Sequence, residues 1–194
     1  MFTGIIEAMG FVSEVNSEKG NRNFKIQSPI SNQLKVDQSV SHNGVCLTVT
    51  QVDGGAHWVT AIDETLQKSN LGRLKSGESI NLERCMIANG RFDGHIVQGH
   101  VDQIGIVKSI KEAEGSWLYD FEFDAATGNI TVEKGSVCIN GVSLTCFNST
   151  KNGFTVAIIP YTYEHTNFKS LKIGDSVNLE FDIVGKYVKR LLGK

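Results

Sequence analysis

One eleven-residue pattern occurs twice in this chain and limits what the chain can fold into. It reads Ser39-Val40-Ser41-His42-Asn43-Gly44-Val45-Cys46-Leu47-Thr48-Val49, and again Ser136-Val137-Cys138-Ile139-Asn140-Gly141-Val142-Ser143-Leu144-Thr145-Cys146. In each copy Asn-Gly separates two short alternating runs. That is the strongest local signal for a two-residue β-hairpin, because both turn positions need positive φ. The short loop sets the register: His42 faces Val45, Ser41 faces Cys46, Val40 faces Leu47 and Ser39 faces Thr48. Alternation then places Val40, Leu47 and Val49 on one face, with Ser39, Ser41, Cys46 and Thr48 on the other. The second copy packs Val137 on Leu144 and sets Ser136, Cys138, Ser143 and Thr145 opposite. Small hydroxyls and thiols where a solvated strand usually carries Lys or Glu hint at a pocket wall. A half-buried hairpin with small polar residues is the plainer alternative.

The repeat extends in both directions. At the same offset of 97, Gly77-Glu78-Ser79-Ile80-Asn81-Leu82-Glu83 falls on Gly174-Asp175-Ser176-Val177-Asn178-Leu179-Glu180, Thr65 on Thr162 and Asn70 on Asn167. At an offset of 95, Gly4-Ile5-Ile6-Glu7 and Gly10 fall on Gly99-His100-Val101-Asp102 and Gly105. The change of offset marks an insertion in a loop. A period this long is a domain duplication and not a solenoid. Each copy reads as about six short strands with turns every 8–12 residues, which predicts a small closed barrel per half. Short helices are expected at 64–71 and 161–168. The tail from Lys186 to Leu192 carries apolar residues at 187, 188, 191 and 192, a helical stripe that needs a surface, either a partner chain or its own domain. The expected architecture is all-β: two tandem homologous six-stranded Greek-key barrels at 1–94 and 95–184, with a short C-terminal helix at 185–194.

Bulk properties narrow the function. With 20 Gly against 2 Pro the chain suits tight turns, and a net charge of −2 without a basic block argues against nucleic acid or an anionic membrane as partner. No apolar run reaches the ~18 residues of a membrane span. Met1-Phe2-Thr3-Gly4-Ile5-Ile6-Glu7 lacks the regions of a signal peptide, and the four cysteines form no C-x-x-C pair, so a cytoplasmic chain with free thiols is expected.

The copies differ at matched polar positions: Cys46 against Ser143, Ile5 against His100, Asp37 against Lys134, Cys85 against Asp182. Singly, Lys134 reads as a solvated turn residue, Cys46 as a packed thiol and His100 as a hydrogen-bonded strand residue. Duplication changes the weighting, because two copies of one scaffold that diverge at matched positions suggest two similar pockets with different tasks. Asp182 is expected on the polar face of a strand whose other face is Val177, Leu179, Phe181 and Ile183. The stretch Gly94-His95-Ile96-Val97-Gln98-Gly99-His100-Val101-Asp102 is not a phosphate loop, since no Lys-Ser/Thr follows. Nor is it a zinc site, since His95 and His100 fall on opposite faces of a strand and no H-E-x-x-H helix is present. No metal is expected.

The segments Met1–Glu7, Asn43–Val49, Gly94–Asp102, Asn140–Thr145, Ile159–Thr162 and Val177–Asp182 resemble the riboflavin synthase family, and the resemblance covers essentially the whole chain. It implies a homotrimer assembled through the C-terminal helix and a dismutation without metal or redox cofactor. One 6,7-dimethyl-8-ribityllumazine gives a four-carbon unit to a second, yielding riboflavin and 5-amino-6-(D-ribitylamino)uracil. An association with lumazine synthase belongs to the same expectation. By resemblance Phe2, Ser39, Cys46, His100, Ser143 and Asp182 matter for activity. His100 with Thr145 or Ser143 would assist proton removal from the donor's methyl. Cys46, or a hydroxyl near Ser39 and Ser41, would add to or deliver water to the acceptor, and Asp182 would steady a proton donor. The N-terminal site would comprise Gly4, Ile5, Ile6, Ser41, Cys46, Leu47, Thr48, and Thr60, Ala61, Ile62, Asp63, Glu64 and Thr65. The C-terminal site would comprise Gly99, His100, Val101, Lys134, Ser143, Leu144, Thr145, and Ile159, Pro160, Tyr161, Thr162, Tyr163 and Glu164. The rival reading is a non-catalytic lumazine- or flavin-carrying antenna protein on the same scaffold.

Overall fold

The computed structural model describes residues 1–193 and contains two closed six-stranded barrels followed by a helix. The first is built from β1 (Ala8–Glu18), β2 (Asn21–Gln27), β3 (Ser39–His42), β4 (Val45–Asp53), β5 (Ala56–Ala61) and β6 (Ser79–Arg84), with α1 (Asp63–Lys68) between the last two. The second repeats it: β7 (Gln103–Ala113), β8 (Ser116–Glu122), β9 (Ser136–Ile139), β10 (Val142–Phe147), β11 (Gly153–Ile158), α2 (Pro160–His165) and β12 (Ser176–Phe181). Around the first barrel the order is β1-β2-β5-β4-β3-β6, and the second has the same order in its own strands. Every described pairing is antiparallel, as Greek-key connections require. The inserted residues lie between β8 and β9, where 123–135 replaces 28–38.

The hairpin register is as the Asn-Gly turns dictate. Ser39 pairs Thr48, Val40 pairs Leu47, Ser41 pairs Cys46 and His42 pairs Val45, while β9 and β10 pair Val137 with Leu144 and Cys138 with Ser143. Both turns are left-handed, with φ of 49° and 82° at Asn43 and Gly44 and 47° and 83° at Asn140 and Gly141. Each helix starts one residue before the expected stretch and ends three residues short of it, the chain then forming a 3₁₀ turn at Asn70–Arg73 and Asn167–Ser170. The strand ending at Phe181 is shorter than expected. Asp182 is the N-cap of α3 (Ile183–Leu191), its Oδ1 accepting the Val184 N–H at 2.9 Å, so Ile183 begins the helix and leaves the strand face. A carboxylate one residue before a helix both satisfies an orphan N–H and meets the positive end of the dipole.

The barrel cores differ in chemistry. The second is aromatic, with Tyr119, Phe121, Phe154, Phe168 and Phe181 around Val137 and Leu179. The first is aliphatic and admits a polar chain at its edge: His42 Nε2 lies 2.9 Å from His57 Nε2, and His57 Nδ1 lies 2.8 Å from Ser31 Oγ. Their counterparts in the second repeat are the apolar Ile139 and Phe154.

The barrels meet turn to turn. A Cβ on Gly44 would stand 2.8 Å from the Gly141 nitrogen, and one on Gly141 equally close to the Gly44 nitrogen, so both positions need glycine. Around this contact three pairs of matched asparagines, buried except for the half-buried Asn70, form a ring with two-fold character. Asn81 Nδ2 donates to Asn140 O at 2.9 Å and to Asn167 Oδ1 at 3.0 Å; Asn178 Nδ2 donates to Asn43 O at 2.8 Å and to Asn70 Oδ1 at 2.9 Å. In turn Asn167 N donates to Asn81 Oδ1 and Asn70 N to Asn178 Oδ1. Phe2 and Val97, also matched, pair antiparallel beside it, Phe2 N to Val97 O at 2.7 Å and Val97 N to Phe2 O at 3.1 Å.

Two expectations follow for stability. Burial and mutual repulsion hold His42 down at about 3, and burial holds His57 at about 4, against an ordinary 6.5. Both stay neutral in the fold and take protons once unfolded, so stability is complete above about pH 6.5 and falls as pH drops towards 4. Replacing the pair by its second-repeat counterparts, His42→Ile with His57→Phe, is expected to halve the loss in urea midpoint between pH 7 and pH 5, roughly the share of two such groups. Asn178→Ala strands the Asn43 carbonyl and the Asn70 N–H in the interface and should cost roughly 2–4 kcal/mol in urea unfolding.

Candidate functional site

The outward faces of the two hairpins do not look into open solvent. Each is met by a short loop from the other repeat. Cys46 N donates to Gly99 O at 2.9 Å, and Ser143 N donates to Gly4 O at 2.8 Å. A Cβ at Gly99 would come within 2.5 Å of Cys46 Cβ, and one at Gly4 within 2.6 Å of Ser143 Cβ. Both glycines have φ near +80°, which the approach also requires. The small residues Cys46 and Ser143 thus have a packing reason: backbone from the opposite repeat lies on them. Ser41 and Cys138 are buried, Cys46 and Ser143 are half-buried at the edge, and Thr48 and Thr145 are exposed.

This exchange corrects the sorting of the site residues. Gly99, His100 and Val101, expected with the second repeat, line a cleft of ≈ 270 Å³ with Val45, Cys46, Glu64, Thr65 and Lys68 of the first. Val101 packs on the first core. Conversely Gly4 lies on Ser143, and Ile6 packs on the second core. Each barrel is therefore completed by the segment that opens the other repeat. Sequence offsets equate Gly4-Ile5-Ile6 with Gly99-His100-Val101 but do not say which barrel either one covers.

At the Cys46 end the half-buried side chain packs against Phe2, Val97 and Cys138. Burial pushes the thiol up while a hydrogen bond with Ser39 pulls it down, and the net shift is upward, so Cys46 is a thiol at neutral pH. Cys85 Sγ donates to Ser39 O at 3.2 Å. A second cavity of ≈ 700 Å³ lies alongside, with Ser39, Cys85, Ile5, Arg84 and Arg91 among its walls. Phe2 is fully buried at the pairing of the two opening segments, which gives it a structural reason for being there.

At the Ser143 end a residue set aside in the sequence comes forward. His95 Nδ1 lies 2.7 Å from Ser143 Oγ, and the His95 backbone N–H donates to Thr3 O at 3.1 Å. Burial pushes this imidazole down and the nearby Asp182 carboxylate pushes it back up. The titratable group that Asp182 influences is thus His95. The spacing of His95 and His100 does not suit a metal; the signal that points to His95 is its place four residues before the duplicated Gly99-His100-Val101-Asp102 segment.

The remaining site residues fall on the rims. Thr60 Oγ1 donates to Asn23 Oδ1 at 2.6 Å, Ala61 is buried, and Ile62 and Asp63 are exposed at the start of α1. Glu64 pairs with Lys68 at 2.8 Å. Leu47 and Leu144 belong to or pack on the cores. Ile159, Pro160, Tyr161 and Glu164 are exposed around α2, Thr162 O accepts the Thr166 hydroxyl at 2.7 Å, and Tyr163 stacks on Trp117 with centroids 3.8 Å apart. Lys134 lies with its ammonium 5.2 Å from the centre of the Phe147 ring. Among the described residues no cluster of three His, Cys, Asp or Glu side chains could hold a metal ion, and no helix is long and apolar enough to cross a membrane.

Comparison with known proteins agrees with this geometry. The family model of the lumazine binding domain matches twice, at residues 3–85 and 98–182. The chain is 41% identical to the riboflavin synthase of Actinobacillus pleuropneumoniae and 39% identical to that of Bacillus subtilis, in each case over 100% of this chain and 91% of the relative. Among solved structures, LumP complexed with riboflavin superposes with a TM-score of 0.86 at 22% identity, covering 93% of this chain and 99% of that one, a likeness of fold. The chain belongs to the lumazine binding domain family, in the two-repeat form of the riboflavin synthases.

Proposed function

We propose that the chain is an enzyme, a transferase that carries out the riboflavin synthase reaction. Two molecules of 6,7-dimethyl-8-ribityllumazine react, one giving four carbons to the other, to form riboflavin and 5-amino-6-(D-ribitylamino)uracil. The observation that carries this is the pair of equivalent barrels with divergent clefts, together with full-length identity to riboflavin synthases. Donor and acceptor are the same molecule, so a duplicated binding scaffold holds both. Fixing two reactants in register is worth roughly 7–11 kcal/mol of barrier. The donor's methyl is acidic because its carbanion delocalises into the ring, so an ordinary side-chain base suffices.

Within this reading the protonated Cys46 thiol acts as a proton donor or hydrogen-bond group at the acceptor more readily than as a nucleophile. His100, exposed beside the same cleft, is placed to exchange protons with a bound heterocycle. Ser143, backed by His95, serves the other molecule. Phe2 and Val97 fill the space between the two hairpins; a site formed between the N-barrel of one subunit and the C-barrel of the next belongs to the same reading. The exposed Val184, Tyr187, Val188 and Leu191 on α3 support a homotrimer built on that helix, Leu191 being 84% exposed and Tyr187 68%. The division at 1–94, 95–184 and 185–194, with residue 194 outside the described part, a cytoplasmic location and an association with lumazine synthase belong to the same reading.

Incubating the protein with the lumazine alone and following riboflavin fluorescence tests the function directly; a binder of the LumP kind leaves the lumazine unchanged. His100→Gln is expected to slow riboflavin formation by roughly 10²-fold, and Cys46→Ser, which keeps a small donor, by less than about tenfold. Wild-type rates in both variants would remove the assignment. Tyr187→Asp with Leu191→Asp should convert a trimer into monomers in sedimentation and abolish turnover while leaving both barrels folded.

A further inference from the structure

Two buried acids have no part in the chemistry described so far. Glu83 in β6 and Glu180 in β12 occupy matched positions and are 4% and 3% exposed. An acid so placed usually has a cationic partner. Instead each carboxylate is filled with donors from one loop. Glu180 Oε1 accepts Gln98 N at 2.6 Å, and its Oε2 accepts Gly99 N and His100 N, both at 2.9 Å. Glu83 Oε1 accepts Thr3 N at 2.6 Å and Thr3 Oγ1 at 2.8 Å, and its Oε2 accepts Gly4 N at 2.9 Å. Three donors on one buried carboxyl suit the acceptor-only ionised form.

The held loops are the ones that cross. Residues 98–100 are fastened on one side to Glu180 of the second barrel and on the other to Cys46 of the first, through Gly99 O. They deliver His100 and Val101 to the cleft that also contains Cys46, Glu64 and Thr65. Residues 3 and 4 are fastened to Glu83 and, through Gly4 O, to Ser143. A purely structural acid would be expected to support its own barrel. Here each supports a wall of the other one. We infer that Glu180 and Glu83 are positioning residues that act across the barrel boundary: Glu180 sets the Cys46 cleft, and Glu83 sets the Ser143 side. The inference rests on the function proposed above and adds the residues that hold its two half-sites in shape.

The amide of a glutamine turns one acceptor oxygen into a donor aimed at an N–H, so Glu180→Gln must release part of the loop. The full-length chain carrying Glu180→Gln, Glu83→Gln or Gly99→Ala is treated with iodoacetamide, and alkylation of Cys46 is compared with that of the exposed Cys85 by peptide mass spectrometry. Steady-state kcat and KM for the lumazine are measured alongside. Gly99→Ala displaces the same loop from Cys46 while keeping the charge of Glu180, so it separates loop movement from the removed charge and stands in should Glu180→Gln not fold. Glu180→Gln and Gly99→Ala should each raise the Cys46-to-Cys85 ratio by about tenfold, the size of a lost charge-assisted hydrogen bond, and lower kcat/KM by a similar factor. Glu83→Gln should lower kcat/KM and leave the ratio at the wild-type value. Equal gains at Cys46 and Cys85, an equal rise of the ratio in Glu83→Gln, or wild-type ratio and kinetics in Glu180→Gln would each overturn the inference. Failure of the proposed function shows separately, as absence of riboflavin from the unmodified protein.

Discussion

The back-to-back contact of Gly44 with Gly141 is the constraint on which the rest of the molecule depends. Two β-turns meeting through backbone alone leave their flanking amides buried, and buried amides must be paired. Asparagine answers this because it carries both a donor and an acceptor in a short side chain, and the same residue can then serve both halves of a two-fold arrangement. The ring of Asn43, Asn70, Asn81 with Asn140, Asn167, Asn178 does so without a buried side-chain polar atom left over among the described residues. Each bond adds only about 0.5–1.5 kcal/mol net, but an unpaired group costs about 1–3, so the ring acts chiefly by forbidding other docking angles. Once the angle is set, the opening segments of the two repeats are brought into antiparallel contact, and each is thrown across the axis onto the other barrel's hairpin.

Much of this was legible in the residue order, for identifiable reasons. Asn-Gly needs two positive φ values, so the hairpin register could be read residue by residue and is the register observed. A conserved spacing between matched segments revealed the duplication, and closure of each sheet follows from many short strands joined by tight turns. The crossing of the opening segments was not legible. An offset equates positions but carries no information about which neighbour each one touches, and nothing in Gly4-Ile5-Ile6 or Gly99-His100-Val101 distinguishes its own barrel from the other. The same limit hid the pairing of His95 with Ser143, which depends on loop geometry between residues 48 apart. Asp182 was misplaced for a different reason: alternation alone cannot tell the last residue of a strand from the cap of the helix that follows. The small polar face of the hairpins is partly a pocket wall and partly a half-buried surface: backbone of the opposite repeat lies against Cys46 and Ser143, while Thr48 and Thr145 stay exposed.

Which matched positions stayed alike and which diverged is itself an argument about function. The asparagines, the turn glycines, Gly4 with Gly99 and Glu83 with Glu180 are identical between repeats, and all of them hold the two-fold arrangement or the crossing loops. The clefts are where identity fails: Ile5 against His100, Cys46 against Ser143, Glu64 against Tyr161, Lys68 against His165. A duplicated protein that needed two equal binding sites would have no reason to vary those positions while preserving the frame around them. One that must hold two copies of a single molecule in opposite chemical roles has such a reason. Each role needs its own proton donors and acceptors, while the shared frame must keep both clefts in fixed geometry. Thr65 and Thr162 stay identical beside these divergent positions, so the divergence is confined to particular side chains and does not extend to the whole helix start.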